Sequence, residues 1–156
     1  MRLLKEARLS KAYWLPLAII LGIDCGLRRG EILKLSNHHI NYISHTATLK
    51  NTKNNLDREI GLSARVMQEL ERLPKPINNK LIPVSSINSF RFYFNQAKRK
   101  ARVNRRFHDT RHTFASRMTE KGWSVIELAQ QGGWKQLQVL KRYTHIDAKI
   151  LAKKLG

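Results

Sequence analysis

The apolar positions fall into runs that alternate between helical and extended spacing. Tyr13 to Cys25 is the most apolar run. It predicts a helix, with Pro16 tolerated in the first turn and Gly26 permitting a sharp bend after it. The basic residues 1–11 predict a short helix or an entry segment before it. Arg28 opens a second helix, Arg29 to Leu35, whose Ile32, Leu33 and Leu35 face a core. From His39 to Ser63 the pattern shortens. Ile40 to Ile43, Thr46 to Leu49 and Arg58 to Leu62 are rich in β-branched or alternating residues. They predict three antiparallel strands with a polar hairpin tip at Asn51 to Asp57 that carries Lys53. A helix from Ala64 to Arg72 follows, capped by Ser63 and stopped by Pro74 and Pro76. Its inward residues are Val66, Met67 and Leu70. Leu81 to Val84 reads as extended. The next helix starts at Ser86 or Asn88, turns Phe90, Phe94 and Ala97 inward, and ends in Lys98-Arg99-Lys100.

Residues 108–143 predict three more short helices. Asp109 or Thr110 caps the first, which buries Phe114, Ala115 and Met118 and ends at Lys121-Gly122. Ser124 caps the second, with Val125, Leu128 and Ala129 inward and a stop at Gln131-Gly132-Gly133. Leu137, Val139 and Leu140 drive the third, which carries Tyr143. His108 and Arg111 lie one helical turn apart and can point the same way. The whole is mainly α with a small antiparallel β-sheet, an α+β domain over residues 1–156.

Charge sharpens the picture. Thirty Lys and Arg against eleven Asp and Glu give a net charge of +19. Such an excess bears on partners rather than on fold, and the natural partner is a polyanion, nucleic acid above all. The 42% apolar content supports a real core. One cysteine, Cys25, is incompatible with a disulfide scaffold and fits a reducing compartment. The longest apolar stretch, Trp14 to Ile23, is too short to span a bilayer, and the N-terminus lacks signal-peptide architecture.

Two stretches stand out chemically. One is Gly26-Leu27-Arg28-Arg29-Gly30-Glu31. The other runs from His108-Asp109-Thr110-Arg111 through Gly133-Trp134 to Tyr143, nine residues beyond that tryptophan. Together they resemble the two conserved boxes of the tyrosine recombinases, the phage-integrase family, over Gly26 to about Ile146. The resemblance implies a tyrosine recombinase catalytic domain and puts Arg28, Lys53, His108, Arg111, Trp134 and Tyr143 in the catalytic set, with Lys50 as the rival to Lys53. Where many relatives have His, this chain has Trp134, which can donate a hydrogen bond but cannot shuttle a proton.

The implied activity is site-specific DNA recombination by breaking and rejoining strands through a 3′-phosphotyrosyl intermediate, as in the integrase of a phage or mobile element. Arg28 and Arg111 would fork onto phosphate oxygens. His108 would donate to a phosphate oxygen or help take the Tyr143 proton, Trp134 would donate its indole N–H to the same phosphate, Lys53 would protonate the departing 5′-oxygen, and Tyr143 would attack. No metal, ATP or other cofactor is implied. Lys98, Arg99, Lys100, Arg102, Arg105 and Arg106 are candidate contacts to the DNA backbone. The implied partners are double-stranded DNA, three more copies in a tetramer joined by C-terminal tails, and accessory DNA-bending proteins, in a bacterial cytoplasm. Because the family also uses an N-terminal core-binding domain, the 156 residues read as a fragment. Ile146, Ile150, Leu151 and Leu155 give the tail its apolar stripe.

Competing readings exist. His108 to His112 mimics a His-Glu-x-x-His zinc motif, but lacks the glutamate base and a third ligand. Phe114 to Gln131 could be a non-catalytic helix-turn-helix, which would leave Arg28, Lys53 and Tyr143 unexplained. A type IB topoisomerase would use nearly the same residues. His112 reads as a helix-packing residue or one that supports the site from behind, and Glu31 as a residue that orients Arg28 or caps the structure.

Overall fold

The computed structural model describes residues 1–50, 57–74, 78–84, 86–144 and 148–156, without the side chain of Ile150. Lys53 and the rest of 51–56 in the hairpin tip, Pro76, His145 and Ile146 lie outside the described residues.

Helix α2 (Leu15–Asp24) is the central post. Every residue from Leu15 to Ile23 is buried, so it has no polar face. It packs against α1 (Arg2–Arg8), α3 (Arg29–Lys34), α4 (Ala64–Arg72) and α6 (Asp109–Glu120). Burial of each of its large aliphatic side chains stabilises by roughly 1.5–3 kcal/mol relative to exposure. The approach of α2 to α6 is close: a Cβ on Gly22 would lie 2.4 Å from Thr110 Oγ1. Helix α5 (Ile87–Lys100), capped by Ser86 Oγ on the Ser89 N–H at 3.1 Å, packs against α1. Its Phe90 and Phe94 meet Phe107 edge to face, and Phe90 stacks on Trp14.

The sheet runs β1 (Ile40–Asn41), β2 (Thr46–Leu49), β3 (Arg58–Gly61), antiparallel throughout. Ala47 pairs with Ile40 on one side and Ile60 on the other. β1 ends two residues earlier than the pattern predicts. Asn41 Oδ1 accepts from the backbone N–H groups of Ile43 and Ser44, both at 3.0 Å, which turns the chain and leaves Ile43 in solvent. Asp24 ties α2 to α4: its carboxylate accepts from Arg65 Nε at 2.8 Å and Ser63 Oγ at 3.0 Å.

The C-terminal portion packs as a second, smaller cluster. Phe114 of α6, Leu128 of α7 (Val125–Gly132) and Leu140 are its fully buried members, flanked by Met118, Trp123, Val125, Ala129, Trp134 and Tyr143. Ser124 caps α7 as predicted, accepting from Glu127 N–H at 3.2 Å, and Gly133 ends it at φ 69°. Two expectations need correction. α6 starts at Asp109 with no side-chain cap, because Asp109 accepts from the Arg106 N–H behind it (2.8 Å) and Thr110 Oγ1 donates back to the Phe107 carbonyl (2.7 Å). The element carrying Tyr143 is a 3-10 turn, Leu137–Tyr143, with Leu140 as its one buried residue. Last comes α8 (Ala148–Leu155), with Leu151 and Leu155 exposed. Among the described residues, no helix is long and apolar enough to cross a membrane.

Candidate active site

The site forms on the seam between the two clusters. The turn after α2 depends on Gly26, at φ +70°, where a Cβ would meet the Phe114 ring at 2.5 Å. This turn sets Arg28 at the start of α3. Its backbone N–H donates to Glu31 Oε2 at 2.7 Å and its Nη1 to Oε1 at 3.2 Å, so Glu31 orients it as expected. Nη2 of Arg28 then crosses to the other cluster and donates to the Gly133 carbonyl at 2.7 Å.

Arg111 crosses in the opposite direction. Although charged, it is only 3% exposed. Its Nη1 donates to the Gly132 carbonyl at 2.9 Å and also to the Gly26 carbonyl. Trp134 covers the guanidinium at 4.2 Å from its ring centroid and stacks on Phe114. Burial, and then the neighbouring Arg28 charge, push the Arg111 guanidinium down to about 10, so it stays charged at neutral pH. Gly132 is needed beneath the indole, because a Cβ there would lie 1.9 Å from Trp134 Cζ3. Arg28, Arg111 and Trp134, far apart in sequence, thus converge on Gly132 and Gly133.

Tyr143 stands on the adjoining side. Its hydroxyl hydrogen-bonds His112 Nδ1, and the His112 ring meets the His108 ring edge to face at 5.2 Å. Burial raises the phenol above its ordinary value, against the pull of Arg142 and Arg111. Both imidazoles lie below their ordinary value. Burial is the main cause for each, followed by His112 for His108 and by Arg142 for His112. His108 itself is exposed at the start of α6.

Arg58 and Gln131 gained no site role from the sequence, and His112 only that of a packing or supporting residue. Arg58 Nη2 pairs with Glu31 Oε1 at 2.5 Å, while Nη1 donates to the carbonyls of Gln130, at 3.3 Å, and Gln131. Burial lowers its pKa and Glu31 counters this. A signal for it existed: Arg58 shares the inward face of β3 with Ile60, an odd position for a lone cation. Gln131 staples α7 to β3 and to the end of α2. Its Nε2 donates to Gly61 O at 2.8 Å and Cys25 O at 3.3 Å, and its Oε1 accepts from Gly61 N–H at 2.9 Å.

A cleft of about 1040 Å³ opens beside Arg28 and Trp134, lined by Arg58, Lys34, Lys50 and Lys135 among others. Lys50, the rival to Lys53, ion-pairs with Asp57. The basic run lies on the approach to α6: Arg99, Lys100, Arg102, Arg105 and Arg106 are exposed and Lys98 is partly buried. Among the described residues, no group of three His, Cys, Asp or Glu side chains could hold a metal ion.

The comparisons with known proteins agree with this fold. The family model described as "Phage integrase family" matches residues 1–149. The shufflon-specific DNA recombinase of Escherichia coli is 34% identical over 158 aligned positions, covering 97% of this chain and 41% of that protein. The chain spans roughly two fifths of the length of the curated relatives it matches. Among solved structures, the catalytic domain of bacteriophage HP1 integrase superposes with a TM-score of 0.77 at 24% identity, over 99% of this chain and 88% of that one. XerH site-specific recombinase bound to its difH substrate gives 0.75 at 19% identity, over 99% and 51%. The match over residues 1–149, carried by a mainly helical fold with a three-stranded antiparallel sheet, makes this chain a member of the phage integrase family.

Proposed function

We propose that the chain catalyses site-specific recombination of double-stranded DNA, breaking and rejoining strands through a covalent bond between Tyr143 and a 3′-phosphate. The observation that carries this reading is the convergence of Arg28, Arg111 and Trp134 on Gly132 and Gly133, next to a tyrosine nine residues past the tryptophan.

In this reading the two guanidiniums hold the non-bridging oxygens of the scissile phosphate and offset the charge that grows in the transition state. Both Arg111 bonds run from Nη1, so Nη2 and Nε are its donors for the phosphate. His108, exposed at the start of α6, adds a third donor, and Trp134 closes the site over Arg111. Lys53 delivers a proton to the leaving 5′-oxygen. The phosphotyrosyl bond conserves the energy of the broken phosphodiester, so rejoining needs no nucleotide. Lys98, Arg99, Lys100, Arg102, Arg105 and Arg106 track the DNA backbone, with affinity that falls steeply as salt rises. The same reading assigns the tail a role in joining four copies on DNA, with accessory DNA-bending proteins, in a bacterial cytoplasm. It also takes the chain as the catalytic part of a two-domain enzyme, in line with its share of the curated relatives' length.

Covalent trapping tests the reading. The chain, and a Tyr143→Phe version, are incubated with nicked duplexes drawn from the flanks of its own gene. A denaturant-resistant protein–DNA adduct that Tyr143→Phe does not form is the expected result. An adduct that survives Tyr143→Phe would move the nucleophile elsewhere. DNA binding with no adduct, even after a core-binding domain is supplied, would leave a binding module.

A further inference from the structure

One imidazole with no role in the mechanism above touches the atom that must react. His112 lies four residues after His108, on the same face of α6 and one turn further along. His108 is exposed. His112 is partly buried, and its Nδ1 meets the Tyr143 hydroxyl, with the two rings 6.1 Å apart at 37°. Tyr143 sits on a short 3-10 turn with a single buried anchor, Leu140. The contact with His112 therefore fixes the phenol in a way that its own backbone does not.

We propose that His112 is the positioning residue for Tyr143 and the acceptor of its phenolic proton, through the contact between Nδ1 and the hydroxyl. This rests on the reading of Tyr143 as the nucleophile.

The surrounding charges suit such a role. Arg142 of the 3-10 turn, Arg106 of the preceding loop, His108 at the start of α6 and Arg111 within it all disfavour a positive charge on the ring; among the described residues, Asp109 favours it. The groove beside His112 adds the cations Arg2 of α1, Arg105 and Arg117. The ring is therefore neutral at pH 7, and with the proton on Nε2 its Nδ1 presents a lone pair to the phenol. The phenol, held above its ordinary value, is protonated at that pH and needs an acceptor within hydrogen-bond reach. In the step itself, the Tyr143 oxygen–phosphorus bond forms as the phosphorus–5′-oxygen bond breaks. The phenolic proton passes to His112 Nδ1, and the 5′-oxygen takes a proton from Lys53. In rejoining, both protons return.

The sign of the pH dependence follows. A protonated His112 has no lone pair at Nδ1, so the rate of adduct formation falls as pH drops through the His112 ionisation, which lies below 6.5.

Two measurements test this on the 156-residue chain. First, the His112 ring is titrated by NMR without DNA, in the wild type and in Tyr143→Phe. Loss of the phenol's donated hydrogen bond is expected to raise the His112 pKa toward its ordinary value. Second, adduct formation on nicked DNA is followed from pH 5 to 8 in the wild type and in His112→Asn, whose side-chain oxygen can accept a hydrogen bond but not take the proton. The variant is expected to be ~10²-fold slower at pH 7.5 and to lose the acid limb of the profile. A His112 titration unmoved by Tyr143→Phe, alongside normal adduct formation, overturns the proposal alone. So does a His112→Asn variant that keeps the wild-type rate and acid limb. No adduct from the wild type even after a core-binding domain is supplied, with the titration shift intact, overturns the nucleophile reading and the acceptor role with it.

Discussion

The two clusters of this molecule are held together by different means. The larger, built on α2, is joined by area: Leu15, Leu17, Ile19 and Ile20 are fully buried, and Trp14, Phe90, Phe94 and Phe107 pack ring against ring. The smaller has three fully buried members, and the seam between it and the rest is crossed by long polar side chains: Arg28, Arg111, Arg58 and Gln131. A core built on area loses stability when one side chain is cut back, but no single contact in it sets the geometry of the site. In a seam of directional bonds each removed donor strands a particular carbonyl and loosens the residues it held in place. Two of the crossing side chains are also the proposed phosphate ligands, so function and assembly share the same atoms.

That contrast can be broken by substitution. The largest effect is expected for Arg111→Ala, which removes a phosphate ligand and leaves the Gly26 and Gly132 carbonyls without their donor. Adduct formation per folded molecule should fall by at least ~10²-fold, with a stability loss of about 1–3 kcal/mol in urea unfolding. An Arg111→Ala protein that cleaves normally would remove Arg111 from the site. Ile20→Ala, in the large cluster, should cost about 2–5 kcal/mol of stability and leave adduct formation per folded molecule unchanged; a parallel collapse of cleavage would show that the clusters are not independent. Gln131→Ala lies between them, with about 1–2 kcal/mol lost and cleavage slowed roughly tenfold, as one misplaced donor would give. If it proves silent in both assays, the staple is ornamental. Ser124→Ala, which removes the α7 cap away from the seam, should cost about 1 kcal/mol with cleavage intact, so any kinetic effect there would extend the functional region into α7.

The amino-acid sequence was most informative where one physical rule dominates. An unbroken apolar run buries a helix, a Ser before a helical stretch caps it, and Gly-Gly ends one; α2, α7 and their boundaries follow. It was less informative where two local rules compete. Ile40 to Ile43 has strand propensity, but the Asn41 side chain offers the backbone a turn first, and Ile43 is left in water. Asp109 and Thr110 both suit a cap, yet each bonds backward into the preceding turn. In the site, the motif spacing marked Arg28, Arg111, Trp134 and Tyr143, and the structure brings the first three together. It did not mark Arg58 or Gln131 as site residues and left His112 between packing and supporting the site, because their partners lie 27 to 106 residues away and only folding makes them neighbours.

The closeness of Arg28 and Arg111 has a thermodynamic consequence. Two like charges share a small, partly dry volume, and Glu31 and the backbone carbonyls relieve them only in part, since the Arg28 charge still lowers the Arg111 pKa. An oxyanion that fits between the guanidiniums relaxes what remains of that repulsion. Ligation and folding are then linked: an anion that binds only the folded chain raises the unfolding temperature in proportion to the logarithm of its concentration. Inorganic phosphate should thus protect this protein against heat more than chloride does at equal ionic strength.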